Sequence, residues 1–269
     1  MENKQAYNFT SRDAENYDLY LGPVLFEPYG RFLASQIEDN DLTKVVELAC
    51  GTGRVTRHIS EVMPVDTEFW ATDISDDMLG IAKRHLVNYN INYRTEDIQN
   101  LSFSDNSFDL AICQFGVMFL PDKQKGFNEI ARILKPGGRL MCFTWDSAFH
   151  NPIFNLLINE LMLPYFTDED TTRLFVPFSL YDKQQLAEWL TNAGFSTVKT
   201  EVIALNSDPA TSDQIVEGFY LYHPLGKAIK DKAPEAYETV QQKFRQEIEK
   251  RYGKNTSFPM SALLTIAGK

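Results

Sequence analysis

The sequence predicts an α/β fold built on an open, mainly parallel β-sheet. From Leu42 to Thr144, short apolar runs alternate with longer segments in which apolar residues recur every three or four positions. Such alternation is typical of parallel strands joined by crossover helices. The chain has 269 residues, and neither an internal repeat nor a low-complexity linker divides it. We therefore expect one domain, residues 1–269, with helical additions to the sheet.

Each predicted element has a local cause. The first five strands are expected at Lys44–Leu48, Glu68–Ala71, Ile91–Arg94, Phe108–Phe115 and Arg139–Thr144. The fourth is an almost continuous apolar run, which suits a central strand covered on both faces. A helix follows the first strand from about Arg54 to Met63, where Pro64 ends it. Ser75 is a favourable cap for the next helix, and Asp76 and Asp77 place negative charge at the positive end of its dipole.

The remaining chain differs in character. The run Lys135-Pro136-Gly137-Gly138 is expected to end the third helix sharply, before the fifth strand. Trp145–Leu180 is rich in aromatic residues and prolines, which indicates a helical excursion over one edge of the sheet. Further elements are expected at Asp182–Ala193 (helix), Thr197–Leu205 (sixth strand), Tyr237–Tyr252 (helix) and Ser261–Ala267 (last strand).

Composition limits the possible functions. The formal net charge is −11 without a Lys/Arg cluster, so we do not expect nucleic-acid binding. No apolar run approaches the length that spans a bilayer, and Met1–Gln5 lacks the apolar core of a secretory signal. Cys50, Cys113 and Cys142 lie in apolar surroundings without C-x-x-C spacing, which favours free thiols over disulfides or metal ligands. The sequence thus predicts a cytoplasmic protein without a metal site, and it leaves the oligomeric state open.

The stretch Val45–Arg54 carries the clearest functional signal. It is a strand that runs into a tight turn with Gly51 and Gly53, after which a helix begins. Glycine lets the backbone take positive φ and approach a ligand closely, and the new helix directs free N–H groups toward that ligand. Glu47 is an acidic residue inside this otherwise apolar strand. Its carboxylate is a suitable acceptor for a positively charged group.

Polar residues also follow the other predicted strands. Asp73 comes after the second strand, Asp97 after the third, and Gln114 at the end of the fourth. Open parallel sheets bind ligands beyond the carboxyl ends of their strands, where the strand order reverses. Asp73 lies about 20 residues beyond Gly53, the distance at which a carboxylate accepts both ribose hydroxyls of an adenosine. Asp97 with Ile98 suits the amine and the ring of an adenine.

Each aspartate also has a structural interpretation, because strand-end loops favour Asp for turn chemistry. Asp73 then simply leads into the cap at Ser75, and Asp97 forms a turn before Asn100. Notable residues at four consecutive strand ends nevertheless favour one shared ligand over four unrelated turns.

The spacing restricts which nucleotide is bound. The dinucleotide fingerprint G-x-G-x-x-G needs a small third residue, and Thr56 stands at that place. A P-loop is excluded because no G-K-[ST] follows the glycines. Glu47 beneath the turn disfavours pyrophosphate and favours a cationic amine. A nicotinamide-dependent oxidoreductase remains an alternative, as does a non-catalytic module that binds a cofactor on the same fold.

Taken together, these residues resemble the motifs of class I S-adenosylmethionine-dependent methyltransferases. The corresponding segments are Val46–Gly53, Asp73, Glu96–Ile98, Phe108–Leu110 and Ile133–Leu140. The match covers about residues 42–146 and resembles the branch that contains ubiquinone and menaquinone biosynthesis methyltransferases and many small-molecule methyltransferases. Ala49 departs from the pattern, because a glycine is common there.

The resemblance implies a Rossmann-like, doubly wound sheet of seven strands, with an antiparallel last strand between the fifth and the sixth. It further implies an N-terminal helical lid (1–41), a cofactor-binding core (42–146), helical insertions on the acceptor side (147–180 and 206–258) and the final strand (259–269). The implied cofactor is S-adenosyl-L-methionine, and the implied partner is a small-molecule acceptor. Aromatic residues in the insertions favour a hydrophobic acceptor, although they equally suit an ordinary helical cap.

The resemblance also assigns residues to the cofactor. The implied set is Tyr17, Tyr20, Glu47, Ala49, Cys50, Gly51, Gly53, Asp73, Ile74, Met78, Asp97, Ile98, Gln114 and Phe115. In this set Glu47 and the glycine turn hold the methionine end, and Asp73 holds the ribose. Methyl transfer depends mainly on aligning a nucleophile with the carbon–sulfur bond, so a strong base is optional. If a base is used, His150 after the fifth strand is the candidate, although a loop histidine is most often a solvated surface group.

Overall fold

The computed structural model describes residues 11–38, 41–167 and 171–269. The strands of the main sheet are β1 (Lys44–Leu48), β2 (Glu68–Asp73), β3 (Asn92–Thr95), β4 (Phe108–Gln114), β5 (Leu134–Trp145), β6 (Thr197–Asn206) and β9 (Pro259–Gly268). Two further strands, β7 (Ala210–Thr211) and β8 (Asn255–Thr256), pair with each other in a small second sheet. The order of the main sheet is β3-β2-β1-β4-β5-β9-β6.

Strand direction within this sheet follows the prediction. β1 to β5 pair in parallel, and β9 lies antiparallel between β5 and β6. The predicted seven-stranded sheet with an antiparallel last strand is therefore confirmed. β4 is central, and its residues Leu110–Cys113 are fully buried, as expected for a strand covered on both faces. The strand order reverses between β1 and β4, which places a crevice at their carboxyl ends.

Helices pack on the faces and ends of the sheet. The α-helices are α1 (Ser11–Asn16), α2 (Glu27–Ser35), α3 (Arg54–Val62), α4 (Asp76–His85), α5 (Lys123–Ile133), α6 (Lys183–Asn192), α7 (Ser212–Val216), α8 (Pro224–Lys232) and α9 (Tyr237–Tyr252), with a short turn at Pro152–Phe154. Segments of π-helix occur at Tyr17–Phe26, Asn155–Met162 and Glu217–Leu221. Ser75 caps α4 as predicted, because its hydroxyl accepts a hydrogen bond from the Met78 N–H. Within the described residues, no helix is both long and apolar enough to cross a membrane.

The junction between α5 and β5 differs from the prediction. The run Lys135-Pro136-Gly137-Gly138 was expected to separate a helix from a strand, but β5 begins at Leu134, directly after α5. Leu134 pairs with Phe108, and pairing resumes between Arg139 and Leu110, so the intervening residues form a bulge in the strand. The proline and the glycines therefore do interrupt regular structure, but they interrupt β5 and do not separate it from α5.

The N-terminal segment, residues 11–35, packs against α3 through buried ion pairs. Glu27 is 6% exposed, and its carboxylate contacts His58 Nε2 at 2.6 Å, Arg57 Nη2 at 3.1 Å and Arg54 Nη1 at 3.2 Å. Asp18 Oδ1 accepts hydrogen bonds from Arg54 Nε at 2.9 Å and from the Thr52 hydroxyl. These contacts attach the N-terminal segment to the helix that follows the glycine turn.

Replacing Glu27 should weaken this attachment. Burial alone raises the pKa of Glu27, but the hydrogen bond with His58 and the charges of Arg57 and Arg54 outweigh it and lower the pKa to about 2. The stabilisation is therefore complete above the ordinary value of 4.5 and is lost as the pH falls from there toward 2. We expect Glu27→Gln to reduce the free energy of unfolding by about 1–3 kcal/mol at pH 7, as measured by urea denaturation.

The control is Glu38→Gln, which alters an exposed carboxylate three residues after the same segment. Its stability should change by less than about 0.5 kcal/mol. Equal effects of the two substitutions would show that the buried network does not hold the segment.

Candidate active site

A cavity of about 440 Å³ opens at the carboxyl ends of the central strands. β1, β2 and β4 contribute Ala49, Asp73 and Gln114 at their ends, and the loop after β3 contributes Asp97. The N-terminal segment closes one side with Tyr17, Leu21, Leu25 and Phe26. The loops beyond β5 close the other side with Phe154, Pro177, Tyr222, His223 and Pro224. The carboxyl ends of four strands thus meet at one enclosed space, as predicted.

A smaller cavity of about 40 Å³ adjoins the large one. Both are lined by Tyr17, Phe26, Ala49, Gly51 and Gln114. The smaller cavity adds Glu47, Cys50, Thr52, Arg54 and Val55. Glu47 therefore does not belong to a separate hollow, because its cavity shares walls with the one that Asp73 and Asp97 line.

The turn after β1 has an unusual backbone. Ala49, Gly51 and Gly53 all have positive φ, at 54°, 56° and 82°. An ideal Cβ on Gly51 would meet no atom within 4 Å, so open space lies beside this residue. An ideal Cβ on Gly53 would lie 2.8 Å from Leu86 Cδ1 and 3.0 Å from the Ala82 Cβ. Gly53 packs this closely against α4 and Leu86, which leaves no room for a side chain.

A second strained position faces this turn from the neighbouring strand. Phe115, directly after β4, has φ of 56° although it is not a glycine. The next residue, Gly116, leaves no room for a side chain, because its ideal Cβ would lie 2.6 Å from the Ala49 Cβ. Strained backbone of this kind persists where the surrounding structure fixes it, commonly at ligand sites. The ends of β1 and β4 are therefore fitted to each other at the cavity wall.

Glu47 is the most unusual titratable group of the site. It is 1% exposed, and its Oε2 atom has no hydrogen-bond partner in the part of the chain that the structure describes. Burial raises the pKa of Glu47 to about 8, and the nearby charge of Asp73 acts in the same direction. A buried carboxyl oxygen without a partner costs free energy, so a cationic group from a ligand would be favoured beside it.

Asp73 and Asp97 each form a turn and each also lines the cavity, so the structural and the ligand-binding interpretations both apply to them. Asp73 Oδ2 accepts a hydrogen bond from the Gly51 N–H at 2.8 Å, and its Oδ1 accepts one from the Ser75 N–H at 2.9 Å. Asp97 Oδ1 accepts a hydrogen bond from the Gln99 N–H at 2.9 Å. Both residues form turns, and both also line the large cavity. A carboxylate has about four lone-pair sites, so these bonds leave acceptor capacity for a ligand.

Aromatic rings line the other half of the large cavity. The Phe115 and Trp145 rings stack with centroids 4.0 Å apart, and the Tyr17 and Phe26 rings stack at 5.1 Å. The Phe154 ring lies 6.0 Å from the Trp145 ring. All five rings line the cavity. This half is suited to an apolar or ring-shaped molecule, and its ring faces are also attractive to a cation.

The structure brings most of the predicted residues together. Those that line one or both cavities are Tyr17, Glu47, Ala49, Cys50, Gly51, Asp73, Ile74, Met78, Asp97, Ile98, Gln114 and Phe115. Tyr20 is outside both linings, because its ring stacks on Tyr222 at a centroid distance of 5.3 Å. Gly53 is outside them as well and instead packs toward Leu86.

His150, the candidate base after the fifth strand, does not line either cavity, so this prediction is wrong. Its side chain is 66% exposed, and its Nδ1 lies 3.0 Å from Asp146 Oδ2. Asp146 is itself held by the Ser261 hydroxyl at 2.8 Å. His150 therefore belongs to a surface contact between the loop after β5 and β9.

The histidine at the cavity is His223, which the sequence did not single out. It lies just before α8, and its Nδ1 accepts a hydrogen bond from the Leu225 N–H at 3.2 Å. Burial lowers the pKa of His223 to about 4. Glu96 and Tyr222 are further lining residues that were not predicted. The cap signal at His223-Pro224 is readable in the sequence, but its proximity to β1 and β2 is a long-range contact.

The chain is similar to known methyltransferases. A family model described as a methyltransferase domain matches residues 45–138. A demethylmenaquinone methyltransferase of Lactiplantibacillus plantarum is 32% identical over 172 residues, which cover 57% of this chain and 70% of that protein. The ubiquinone/menaquinone biosynthesis C-methyltransferase UbiE of Pasteurella multocida is 32% identical over 171 residues, which cover 58% of this chain and 63% of that protein.

Solved structures share the fold. A phosphoethanolamine N-methyltransferase 2 of Haemonchus contortus, in complex with S-adenosyl-L-methionine, superposes with a TM-score of 0.61 and 16% identity. The superposition covers 99% of this chain and 58% of that one. Neither of the two alternative functions, a nicotinamide-dependent oxidoreductase or a non-catalytic module, gains support from these comparisons.

Replacing Ala49 by glycine should stabilise the protein. A left-handed conformation costs a residue with a Cβ about 1 kcal/mol, and glycine avoids this cost. We therefore expect Ala49→Gly to raise the free energy of unfolding by about 0.5–1 kcal/mol, measured by urea denaturation at pH 7.

The matched control is Ala111→Gly in the middle of β4, where the same atoms are removed from a buried strand. That variant should lose about 1 kcal/mol or more, since glycine weakens a strand interior. If both variants lose stability to the same extent, the turn at Ala49 is not strained.

Proposed function

We propose that this chain, which belongs to the class I S-adenosylmethionine-dependent methyltransferases of the UbiE branch, methylates a small, apolar ring compound. Its cofactor is S-adenosyl-L-methionine. The observation that carries the proposal is the buried Glu47 carboxyl, whose Oε2 atom has no partner among the described residues, beside a cavity with aromatic walls. A cationic amino-acid tail and an apolar acceptor require these two environments in one continuous space.

The residues present fit the amino-acid end of the cofactor. The unpaired Glu47 Oε2 is an acceptor for its ammonium group, and the open space beside Gly51 admits its backbone-like atoms. Cys50, Gly51 and Thr52 line the same small cavity. The turn leads directly into α3, whose first N–H groups are directed toward an anion such as the tail carboxylate.

The residues also fit the adenosine end. Asp73 and Asp97 retain acceptor capacity for ribose hydroxyls and for the adenine amine, respectively. Met78 and Ile98 are buried apolar side chains that line the cavity and offer packing surface to the base. We assign these four residues to the nucleoside and Glu47 with the glycine turn to the tail.

The acceptor then occupies the aromatic half. The N-terminal segment supplies Tyr17 and Phe26, and the segments 147–180 and 206–258 supply Phe154, Pro177 and Tyr222. We propose on this basis that residues 1–41 act as a lid, 42–146 as the cofactor-binding core, and the two later segments as the acceptor side of one domain. Within these ranges, residues 1–10, 39–40 and 168–170 lie outside the described residues. The relatives from Lactiplantibacillus plantarum and Pasteurella multocida are named for menaquinone and ubiquinone chemistry. A quinol-like ring suits the stacked aromatic walls.

The protein contributes mainly alignment and exclusion of water. The bound cofactor supplies an activated methyl group on a sulfonium. Tyr17, Phe26, Phe115 and Trp145 form aromatic walls that limit water and favour positive charge. Holding the acceptor in line with the methyl group is worth roughly 7–11 kcal/mol of the barrier, so the chain does not depend on a strong base.

The substitution Glu47→Gln should have opposite effects on the stability of the protein and on its affinity for S-adenosylmethionine. The raised pKa of Glu47 means that its carboxyl destabilises the free protein as the pH rises from 4.5 toward 8. Glutamine avoids this cost, so the variant should gain roughly 4 kcal/mol of unfolding free energy at pH 8, at about 1.36 kcal/mol per pKa unit. It should bind S-adenosylmethionine about 10- to 100-fold more weakly, because it loses a charge-assisted hydrogen bond.

The pH dependence of cofactor binding is a second test of whether Glu47 contacts the ammonium group. Glu47 must lose its proton to pair with the ammonium group, so affinity should rise with pH between 6 and 8 by up to about tenfold per unit. Isothermal titration calorimetry in two buffers should detect release of close to one proton per cofactor at pH 7. Glu238→Gln, an exposed control, should change neither quantity. Native-like pH dependence in Glu47→Gln would remove Glu47 from the cofactor site.

The reaction itself is tested with a panel of quinols, phenols and small amines. We expect transfer of the labelled methyl group from S-adenosylmethionine to a ring compound, and inhibition by S-adenosylhomocysteine but not by NAD. Tighter binding of NAD than of S-adenosylmethionine would contradict the proposal. Cofactor binding without methylation of any compound in a broad panel would favour the non-catalytic module.

A further inference from the structure

We propose that His223 selects the acceptor: its Nε2–H donates a hydrogen bond to an oxygen atom of the bound ring and favours the anionic form of that oxygen. This inference rests on the proposed function, because it concerns the molecule that occupies the aromatic half of the cavity. It assigns to the acceptor a chemical class, an apolar ring that bears a hydroxyl or enol oxygen.

The position of His223 is fixed by the helix that follows it. His223 is the N-cap of α8, Pro224 occupies the first turn, and the His223 Nδ1 accepts a hydrogen bond from the Leu225 N–H at 3.2 Å. Proline at this place is preorganised for the start of a helix. The imidazole is therefore held as part of a helix cap and at the same time lines the large cavity.

That hydrogen bond also fixes the position of the imidazole proton. An N–H donor pointing at Nδ1 requires a lone pair there, so in the neutral ring the proton resides on Nε2. Nδ1 is occupied by the cap and is not available as a base. Nε2–H has no hydrogen-bond partner among the described residues, so the ring has one unused donor.

The imidazole remains neutral under ordinary conditions. Burial lowers the pKa of His223 to about 4, well below neutral pH. A neutral donor suits an acceptor oxygen without adding a second positive charge beside the sulfonium. His223 thus differs from His150, whose side chain is 66% exposed and contacts Asp146 at the surface.

The surroundings make this donor distinctive. In the segments beyond β5, the described lining residues are Phe154, Pro177, Tyr222, His223 and Pro224. Two of these have polar side-chain atoms, and Tyr222 is 38% exposed and stacks on Tyr20. His223 is therefore the less exposed of the two polar groups on a wall whose other residues are phenylalanine and proline. A ring compound that lacks an oxygen would leave its N–H unpaired, which disfavours such a compound.

The chemical consequence concerns the nucleophile. A hydrogen bond to a phenolic oxygen stabilises its anion, and the negative charge of a phenolate is shared with the ring carbons next to the oxygen. Ionisation of the acceptor by this route does not require a protein base. His223 then acts by positioning the ring and by lowering the pKa of its hydroxyl, and the hydroxyl proton is lost to solvent.

The test uses 2-naphthol and naphthalene, which share one ring skeleton and differ by the oxygen. Binding to the full-length protein saturated with S-adenosylhomocysteine is measured for the native chain and for His223→Ser, since serine retains a favourable helix cap. We expect 2-naphthol to lose about tenfold in affinity in the variant, while naphthalene and S-adenosylhomocysteine bind as before. The absorbance of bound 2-naphthol should also report a pKa at least one unit lower in the native protein.

The other titratable groups that line this cavity are Tyr17, Asp73, Glu96, Asp97 and Tyr222. They are unchanged in His223→Ser, so their effect on the bound naphthol is the same in both proteins. Tyr222→Phe is the matched control, which removes the other polar group of the same wall. It should leave the pKa of bound 2-naphthol near the native value.

Several outcomes would overturn the inference. Equal naphthol affinity and equal bound pKa in native and His223→Ser protein would show that His223 does not contact the oxygen. If the variant fails to fold, nitrogen-15 NMR of native histidines decides instead: a protonated Nδ1, or an Nε2–H signal unmoved by 2-naphthol, contradicts the proposal. Failure of both compounds to bind native protein that does bind S-adenosylhomocysteine would contradict the apolar acceptor itself.

Discussion

The left-handed turn between β1 and α3 is the constraint on which the rest of the site depends. Ala49, Gly51 and Gly53 all have positive φ within five residues, so the chain reverses direction in the least possible space. The carboxylate of Asp73 fixes this turn from the end of β2 by accepting the Gly51 N–H. Glu47 lies in the strand just before this turn, is 1% exposed and lines the small cavity beside it. The strained backbone and the buried carboxyl are thus two parts of one arrangement.

The strand order accounts for the remaining geometry. β1 and β4 are neighbours whose crossover helices lie on opposite sides, so their ends separate and leave a crevice. Phe115 takes a left-handed conformation at the end of β4, and Gly116 allows the backbone to approach Ala49 closely. The ring of Phe115 then stacks on Trp145 and forms the aromatic wall. A polar end and an aromatic end result from adjacent strand ends of one sheet.

Local patterns predicted the parts of the site that depend on strand ends. β1 has the bounds that the apolar run at Lys44–Leu48 indicated, and Ser75 caps α4 because serine followed by two aspartates is a strong local signal. Parallel strands put their carboxyl ends at one edge, so the positions of Asp73 and Asp97 beside the glycine turn followed from topology. The positions of these residues could be predicted because the strand or helix that carries each one, together with the strand order, determines where it lies.

Positions that depend on packing between distant segments could not be predicted. His150 was placed at the cleft because it follows β5, but the contact of Asp146 with Ser261 keeps it at the surface. His223 reaches the cavity because its neighbour Tyr222 stacks on Tyr20, about 200 residues earlier in the chain, and no periodicity encodes that contact. Tyr20 was predicted at the cofactor but stacks on Tyr222 instead.

A crystal structure of the protein with S-adenosylhomocysteine tests the central claim most directly. The account predicts the ammonium group within hydrogen-bond distance of Glu47, the ribose at Asp73 and the adenine at Asp97, with the sulfur facing the aromatic half. An amino-acid tail bound away from Glu47, or a nucleoside that occupies the aromatic half instead, would contradict it.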